Sequence, residues 1–263
     1  MSEFFKYLSN DKQISVIAGP CVFENEEHAV RHAAEIARIA RSMNVNFIYK
    51  TSFDKANRTR HDSFRGHSFD EAYYGMRAVK STVGCEVLTD VHEPWQCEQV
   101  AADVIQIPAM LSRQTDLLRA AAESGRTVNL KKGQFMTPDD VGHALEKLEK
   151  FGAKEKFVTE RGTTFGYSGV VVDFRALSWM RRFGEPIVLD CTHTTMIGGL
   201  GDQRVIEPLA LAAAGLGVAG LFIEVHEDPE NAPSDGSCML ELSQFAGLLT
   251  KVIAVDSARK TFN

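Results

Sequence analysis

Polar and ionisable residues recur at the C-terminal ends of short apolar runs: Cys21, Lys50, Asp90 with His92, Gln106, Lys131 with Lys132, Glu160 with Arg161, Asp190 with His193, and Glu224 with His226. Lys50, Lys55, Arg58, Arg113, Lys131, Lys132 and Arg161 form a basic set. Arginine offers planar paired donors and lysine a compact charge, so several converging on one mouth would hold an anionic substrate through separate phosphates or a carboxylate. Any one of them alone reads as a solvated loop charge. A second set is Cys21, His193, Glu224 and Asp235. Thiolate, imidazole and carboxylate are ligands for a divalent metal, although no local spacing motif joins these four. Taken singly, they read equally as a small buried thiol, a hydrogen-bonded loop histidine and salt-bridge acids. Asp90, His92 and His226 are placed to orient ligands or move protons. Cys85, Cys97, Cys191, Cys238, Trp95 and Trp179 read as packing residues.

The elements that must position these groups follow from the runs themselves. ISVIAGP, NFIYKTS, CEVLTDV, VIQIPA, TVNLKKG, KFVTERG, PIVLDCTH and GLFIEVH predict eight strands. Between them, helix-like segments span Glu26 to Met43, Glu71 to Ser81, Gln114 to Ser124, Pro138 to Phe151 and Val205 to Leu216, with another after Leu242. Thr137 caps the segment that begins at Pro138, Asp139 and Asp140 face its positive dipole end, and Gly152 closes it. Repeated strand-helix units predict an α/β fold, a single (β/α)8 TIM barrel over residues 1–263, with every strand end at one mouth. Barrel closure would set the first strand beside the last, bringing Cys21 to Glu224. An open doubly wound sheet is the alternative, but the Gly-x-Gly-x-x-Gly turn is missing after the first strand.

At 263 residues, 44% hydrophobic and 24% charged, the composition is that of a soluble globular protein able to bury a sizeable core. A net charge of -6 argues against a general nucleic-acid binder. Five scattered cysteines without a Cys-x-x-Cys pair fit a reducing cytoplasm. MSEFFKYLSNDK lacks the apolar core of an export signal, and Leu209 to Ile223 is too short for a bilayer and reads as helix, turn and buried strand.

The segments VIAGPC, KTSFDKANR, SFRGH, TDVHE, IQIPAMLSRQTDLL, VNLKKGQF, TERGTTFGY, VVDFR, DCTH and FIEVHEDPENAPSD, in this order over almost the whole chain, resemble the 3-deoxy-D-manno-octulosonate 8-phosphate synthase family. KANR separates that family from the related DAHP synthases, which carry Lys-Pro-Arg-Thr there. The resemblance implies a cytoplasmic homotetramer of (β/α)8 barrels. Its reaction would condense phosphoenolpyruvate with D-arabinose 5-phosphate and water to 3-deoxy-D-manno-octulosonate 8-phosphate and phosphate, in lipopolysaccharide Kdo biosynthesis. Lys131, Arg161 and the backbone of Ala109 would hold the phosphoenolpyruvate phosphate, with Gln106 lining the pocket. Lys50 and Lys55 would lie near the carboxylate and reacting centre, and Asn57 and Arg58 at the aldose phosphate. Arg113 would reach in from a neighbouring subunit. Cys in the GPC position implies the metal-dependent branch, with Cys21, His193, Glu224 and Asp235 binding Zn, Fe, Mn or Co. The catalytic groups implied are Lys50, Lys55, His193 and Asp235.

Two departures bear on the sugar. HTTMIGGLGD passes directly to QRVIEP where the family usually carries a longer Ser-Gly-Gly loop, and Thr59 and Arg60 stand where two serines usually follow KANR. A shorter loop after Asp202 predicts weaker enclosure of the substrate or an altered phosphosugar. A DAHP-type reaction with erythrose 4-phosphate is the enzyme alternative, and a catalytically silent binding barrel is the alternative from another class.

Overall fold

Alternate side chains along a strand point to opposite faces, and here the face turned inward changes chemistry from one end of the sheet to the other. The computed structural model describes every residue except Met1, Asp11, Ser168, Gly199 and Asn263. Its strands are β1 (Ser15–Gly19), β2 (Phe47–Lys50), β3 (Val87–Asp90), β4 (Val104–Ile107), β5 (Thr127–Lys131), β6 (Lys156–Glu160), β7 (Thr163–Phe165), β8 (Gly169–Val171), β9 (Ile187–Asp190), β10 (Gly220–His226) and β11 (Leu240–Glu241). Strands β1 to β6, β9 and β10 pair in parallel, and β10 returns to β1 in the register Ser15 with Gly220 through Gly19 with Glu224. The sheet is therefore a closed eight-stranded barrel, and the sequence-predicted runs each supply one barrel strand.

Ile17, Ile48, Leu88, Val104, Phe157, Val188 and Phe222 form one apolar cluster inside the barrel. Two residues further along most of the same strands stand Lys50, Asp90, Gln106, Thr159, Asp190 and Glu224, all buried. A strand keeps one face inward, so the same alternation builds an oily floor and then a charged ceiling at the C-terminal mouth. Buried polar groups need partners. Asn129 Nδ2 donates to Gln106 Oε1 at 3.0 Å, and Thr159 Oγ1 donates to Asn129 Oδ1 at 2.8 Å. Gly19 is required where it stands, because a Cβ there would lie 2.0 Å from the Lys50 carbonyl oxygen.

The helices are α1 (Glu3–Leu8), α2 (Glu26–Ser42), α3 (Phe69–Val83), α4 (Gln96–Gln99), α5 (Thr115–Glu123), α6 (Pro138–Lys150), α7 (Phe174–Met180), α8 (Ile206–Leu216) and α9 (Leu242–Lys260). Helix α6 begins as read, with Thr137 and Asp140 in a capping box and Pro138 in the first turn. Helix α3 starts two residues before the predicted Glu71, because Ser68 and Glu71 make the same reciprocal cap. The apolar stretch from Leu209 is α8, a left-handed Gly217 and β10. Among the described residues no helix is long and apolar enough to cross a membrane.

Besides the short α4 and β11, three larger elements went unread in the sequence. Helix α1 closes the floor of the barrel: Phe4 and Leu8 join the interior cluster, with Phe4 and Phe157 ring centroids 6.2 Å apart. Ser2 caps it, and Glu86 accepts the backbone N–H of Glu3 and Phe4. Helix α7 and the β7–β8 hairpin follow β6. The hairpin is exposed on β7 and only partly covered on β8, so no apolar alternation marks it.

Candidate active site

A cavity of about 440 Å³ opens at the mouth, lined by Lys50, Lys55, Asn57, Arg58, Gln106, Ala109, Lys131, Arg161, His193 and Asp235 among others. Strand ends and the following loops bring these together although they are spread over most of the chain. Asp90 and His92, 3.2 Å apart, line the same cavity.

Its cations differ in how they are held. Lys50 Nζ donates to Glu224 Oε1 at 2.9 Å, to Ser52 Oγ at 3.0 Å and to the Cys21 carbonyl at 3.1 Å. Lys55 Nζ donates to the same Ser52 Oγ at 2.9 Å. Burial works against the Lys55 charge, but Cys21, Glu224, Asp90 and Asp235 together hold its pKa above the ordinary lysine value. Lys131 Nζ lies 2.7 Å from Asp190 Oδ2 and 4.2 Å from the Phe222 ring centroid, and burial lowers its pKa. Arg161 is 8% exposed, and among the described residues it has no hydrogen-bond or ion-pair partner. Burial lowers its pKa too, with Asp190 and Glu160 opposing. A desolvated guanidinium facing a cavity without a counter-ion is a socket for an anion.

At the edge of this cavity, Cys21, Glu224 and Asp235 each present a ligand atom within 4.8 Å of the others. Cys21 Sγ is 3.1 Å from Asp235 Oδ2, and His193 Nε2 is 3.9 Å from Glu224 Oε2, a buried oxygen with no hydrogen-bond partner. His193 Nδ1 sits 2.8 Å from Asp190 Oδ2, a contact that places the ring proton there and leaves Nε2 free to ligate. Burial and the neighbouring Glu224 push the Cys21 thiol well up. Burial also opposes the Glu224 charge, yet Lys50, His193 and Lys55 hold that carboxyl at about 2. Asp235 occupies the left-handed region at φ 52, unusual for a residue with a side chain. Sulfur, imidazole and two carboxylates around an orphaned buried oxygen fit a divalent cation, which would also stabilise the thiolate.

Several sequence assignments change. Lys132 points away from the cavity and is tied to Glu160 Oε1 at 3.4 Å and the Gly162 carbonyl at 3.0 Å, so it braces the loop after β6. His226 leaves the mouth for a cluster with His28 and His32 on α2. Trp95 and Trp179 are half-exposed rather than packed. The assignment of Arg113 to a neighbouring subunit's mouth is not among these changes: the residue is exposed and does not line its own chain's cavity. In the loop after β9 Met196 reaches the cavity, while Ile197 bridges to Gly169 of the hairpin. Thr59 and Arg60 line the cavity, with Arg60 paired to Asp62. Ser52, which lines the cavity, and Ser234, whose Oγ lies 3.0 Å from Cys21 Sγ and donates to Asp235 Oδ2 at 3.2 Å, were missed; Ser52 carries a signal, standing two residues after Lys50 in a strand-end Lys-Thr-Ser, whereas Ser234 gives none.

Comparison with known proteins gives one answer. Residues 7–261 match the DAHP synthetase I family. A 2-dehydro-3-deoxyphosphooctonate aldolase of Rickettsia bellii is 46% identical over 261 residues, covering 96% of this chain and 95% of its own. Proteins of the same name are 46% identical in a Cyanothece species over 259 residues, covering 95% of each chain, and 43% identical in Rickettsia typhi over 261 residues, covering 96% of this chain and 95% of its own.

Proposed function

The chain belongs to the DAHP synthetase I family, and from that premise we propose that it condenses phosphoenolpyruvate with D-arabinose 5-phosphate and water, giving 3-deoxy-D-manno-octulosonate 8-phosphate and inorganic phosphate. The observation that carries this reading is a single cavity lined by Lys131 and Arg161 and by Lys55, Asn57 and Arg58, in which Arg161 has no hydrogen-bond or ion-pair partner among the described residues. Two anionic ends need two separate cationic grips, and a lining that includes several lysines and arginines supports that reading. The name shared by the relatives favours this reaction over the DAHP-type alternative.

In this reading Lys131 and Arg161 grip the phosphoenolpyruvate phosphate, and Lys50 and Lys55 face its carboxylate. Asn57 and Arg58 hold the far phosphate of the sugar. Carbon 3 of phosphoenolpyruvate attacks the aldehyde carbon, water adds at carbon 2, and the resulting hemiketal phosphate loses phosphate by C–O cleavage. Holding two anions in reactive alignment and meeting developing negative charge with fixed cations are the chain's main contributions. Cys21, His193, Glu224 and Asp235 would hold a divalent metal of the Zn, Fe, Mn or Co class. Bound there, the metal would supply Lewis acidity for polarising the aldehyde or for positioning a water. Residues 1–263 act as one catalytic domain in this reading, the five free cysteines support a reducing cytoplasmic setting, and a homotetramer delivers Arg113 to a neighbour's mouth.

A metal-controlled phosphate-release assay tests the proposal. Release should need phosphoenolpyruvate and arabinose 5-phosphate together, fall on chelation and return with added dication. Equal or faster release with erythrose 4-phosphate, or none with any aldose phosphate, would overturn it.

A further inference from the structure

Behind the mouth, on the outer side of β10, lies a second cluster that the condensation does not use. Glu24, just before α2, His28 on α2 and His226 at the end of β10 each present a ligand atom within 4.8 Å of the others. His226 Nε2 is 2.8 Å from Glu24 Oε1, and His28 Nδ1 is 3.9 Å from the same oxygen. Tetrahedral coordination at metal-ligand distances of roughly 2.0–2.2 Å separates ligand atoms by about 3.4 Å, so the cluster brackets that spacing.

The surroundings are built for a ligand. His28 Nε2 lies 3.1 Å from Glu227 Oε2, which fixes the proton on that nitrogen and leaves the Nδ1 lone pair free. His28 Nδ1 is buried with no hydrogen-bond partner. His32, one turn along α2 and 1% exposed, has neither ring nitrogen hydrogen-bonded, and its ring lies 5.2 Å from that of His28 and 6.1 Å from that of His226. Unsatisfied buried nitrogens are costly, and their concentration here calls for an occupant. Glu24 and Glu227 are only partly buried and leave the cluster open to entry at one edge.

We infer that Glu24, His28 and His226 form a second binding site for a borderline transition-metal dication such as Zn or Co, separate from the Cys21 corner and backed by Glu227. His226 Nδ1 now accepts the Asp228 N–H at 3.0 Å, which puts the ring proton on Nε2. On binding, that proton moves to Nδ1, Nε2 turns its lone pair to the ion, and the N–H of the exposed Asp228 turns to water. The ion clamps the start of α2 to the end of β10, where the barrel closes. This inference is independent of the reaction proposed above.

Cobalt titration of the metal-stripped protein, followed by absorption, is the test. Wild type should take two equivalents, one with a thiolate-to-cobalt charge-transfer band and one with visible d–d bands alone. Cys21→Ser should lose the charge-transfer band and keep the second equivalent. His28→Phe, which keeps a ring in the stack, should lose the second and keep the band. A single wild-type equivalent that carries the charge-transfer band, or an equivalent without that band that survives His28→Phe, refutes the site. Should His28→Phe fail to fold, anomalous scattering from cobalt-soaked wild-type crystals decides: a peak between Glu24 and His28 supports the site, and its absence overturns it.

Discussion

Arg161 and Lys131 sit in the same cavity under different constraints. Lys131 is neutralised by Asp190 at 2.7 Å, whereas Arg161 has no partner among the described residues. Removing Arg161 therefore removes binding without orphaning a protein group. Arg161→Ala should lower kcat/KM for phosphoenolpyruvate by about 100- to 1000-fold, the scale of losing one charge-stabilising donor, while leaving the melting temperature unchanged or raised. Steady-state phosphate release and thermal unfolding read the two effects, and a large fall in melting temperature would mean that Arg161 is structural. His32 works in the opposite sense. Burial first, then His28, holds its pKa down at about 3, against Glu227. Folded His32 stays neutral while the unfolded chain takes up a proton below the ordinary value near 6.5. Its contribution to stability is complete above about pH 6.5 and falls by roughly 1 kcal/mol per unit as the pH drops towards 3. In chelating buffer, His32→Phe should lose less stability than wild type between pH 7 and 5 in urea unfolding. Equal losses in the two proteins would rule this out.

The floor and the ceiling of the barrel come from the same strands, but they are sealed by different elements. Helix α1 puts Phe4, 1% exposed, against Phe157 at the end remote from the mouth. Phe4→Ala should cost about 3–5 kcal/mol, the range for truncating a buried aromatic, with kcat nearly unchanged below the new melting temperature. Equilibrium unfolding beside steady-state kinetics checks this; a proportionate loss of kcat would show that floor and mouth are coupled. That α1 escaped the sequence reading has a simple cause. Six residues make fewer than two turns, too few to show a period, and FFKYL owes its burial to a barrel closed by residues far along the chain. The strands were legible because each is a short apolar run ending in a polar group, and the basic residues of the mouth because they stand at those ends. Lys131 and Lys132 could not be told apart in that way. Neighbours on a strand point to opposite faces, so one meets Asp190 in the cavity and the other braces Glu160 behind it. His226 was misplaced for a related reason: its partners His28 and His32 lie on a helix face whose orientation only tertiary packing decides.

At the scale of the whole molecule, the mouth is bordered by surface that a lone chain leaves uncovered. Phe165 is 75% exposed in the hairpin, and Ile197 and Leu200 are 70% and 69% exposed in the loop after β9 that is bridged to it. Clustered exposed apolar groups mark association surfaces, and Arg113 is exposed outside its own cavity. A mouth completed by a neighbour's Arg113, as proposed, makes a distinctive prediction about mixtures. Arg113→Ala alone should be nearly inactive, because every mouth in its assembly lacks the arginine from next door. Arg161→Ala should be nearly inactive because every mouth lacks its own phosphate grip. When the two are co-expressed, a chain carrying Arg113→Ala keeps its own Arg161 and receives Arg113 from an Arg161→Ala neighbour. Those mouths are complete, so the mixed assembly should recover a substantial fraction of wild-type phosphate release. Mixing the purified variants without subunit exchange should recover none and serves as the control. If the co-expressed protein is a confirmed hybrid yet stays as inactive as either parent, Arg113 does not cross between subunits.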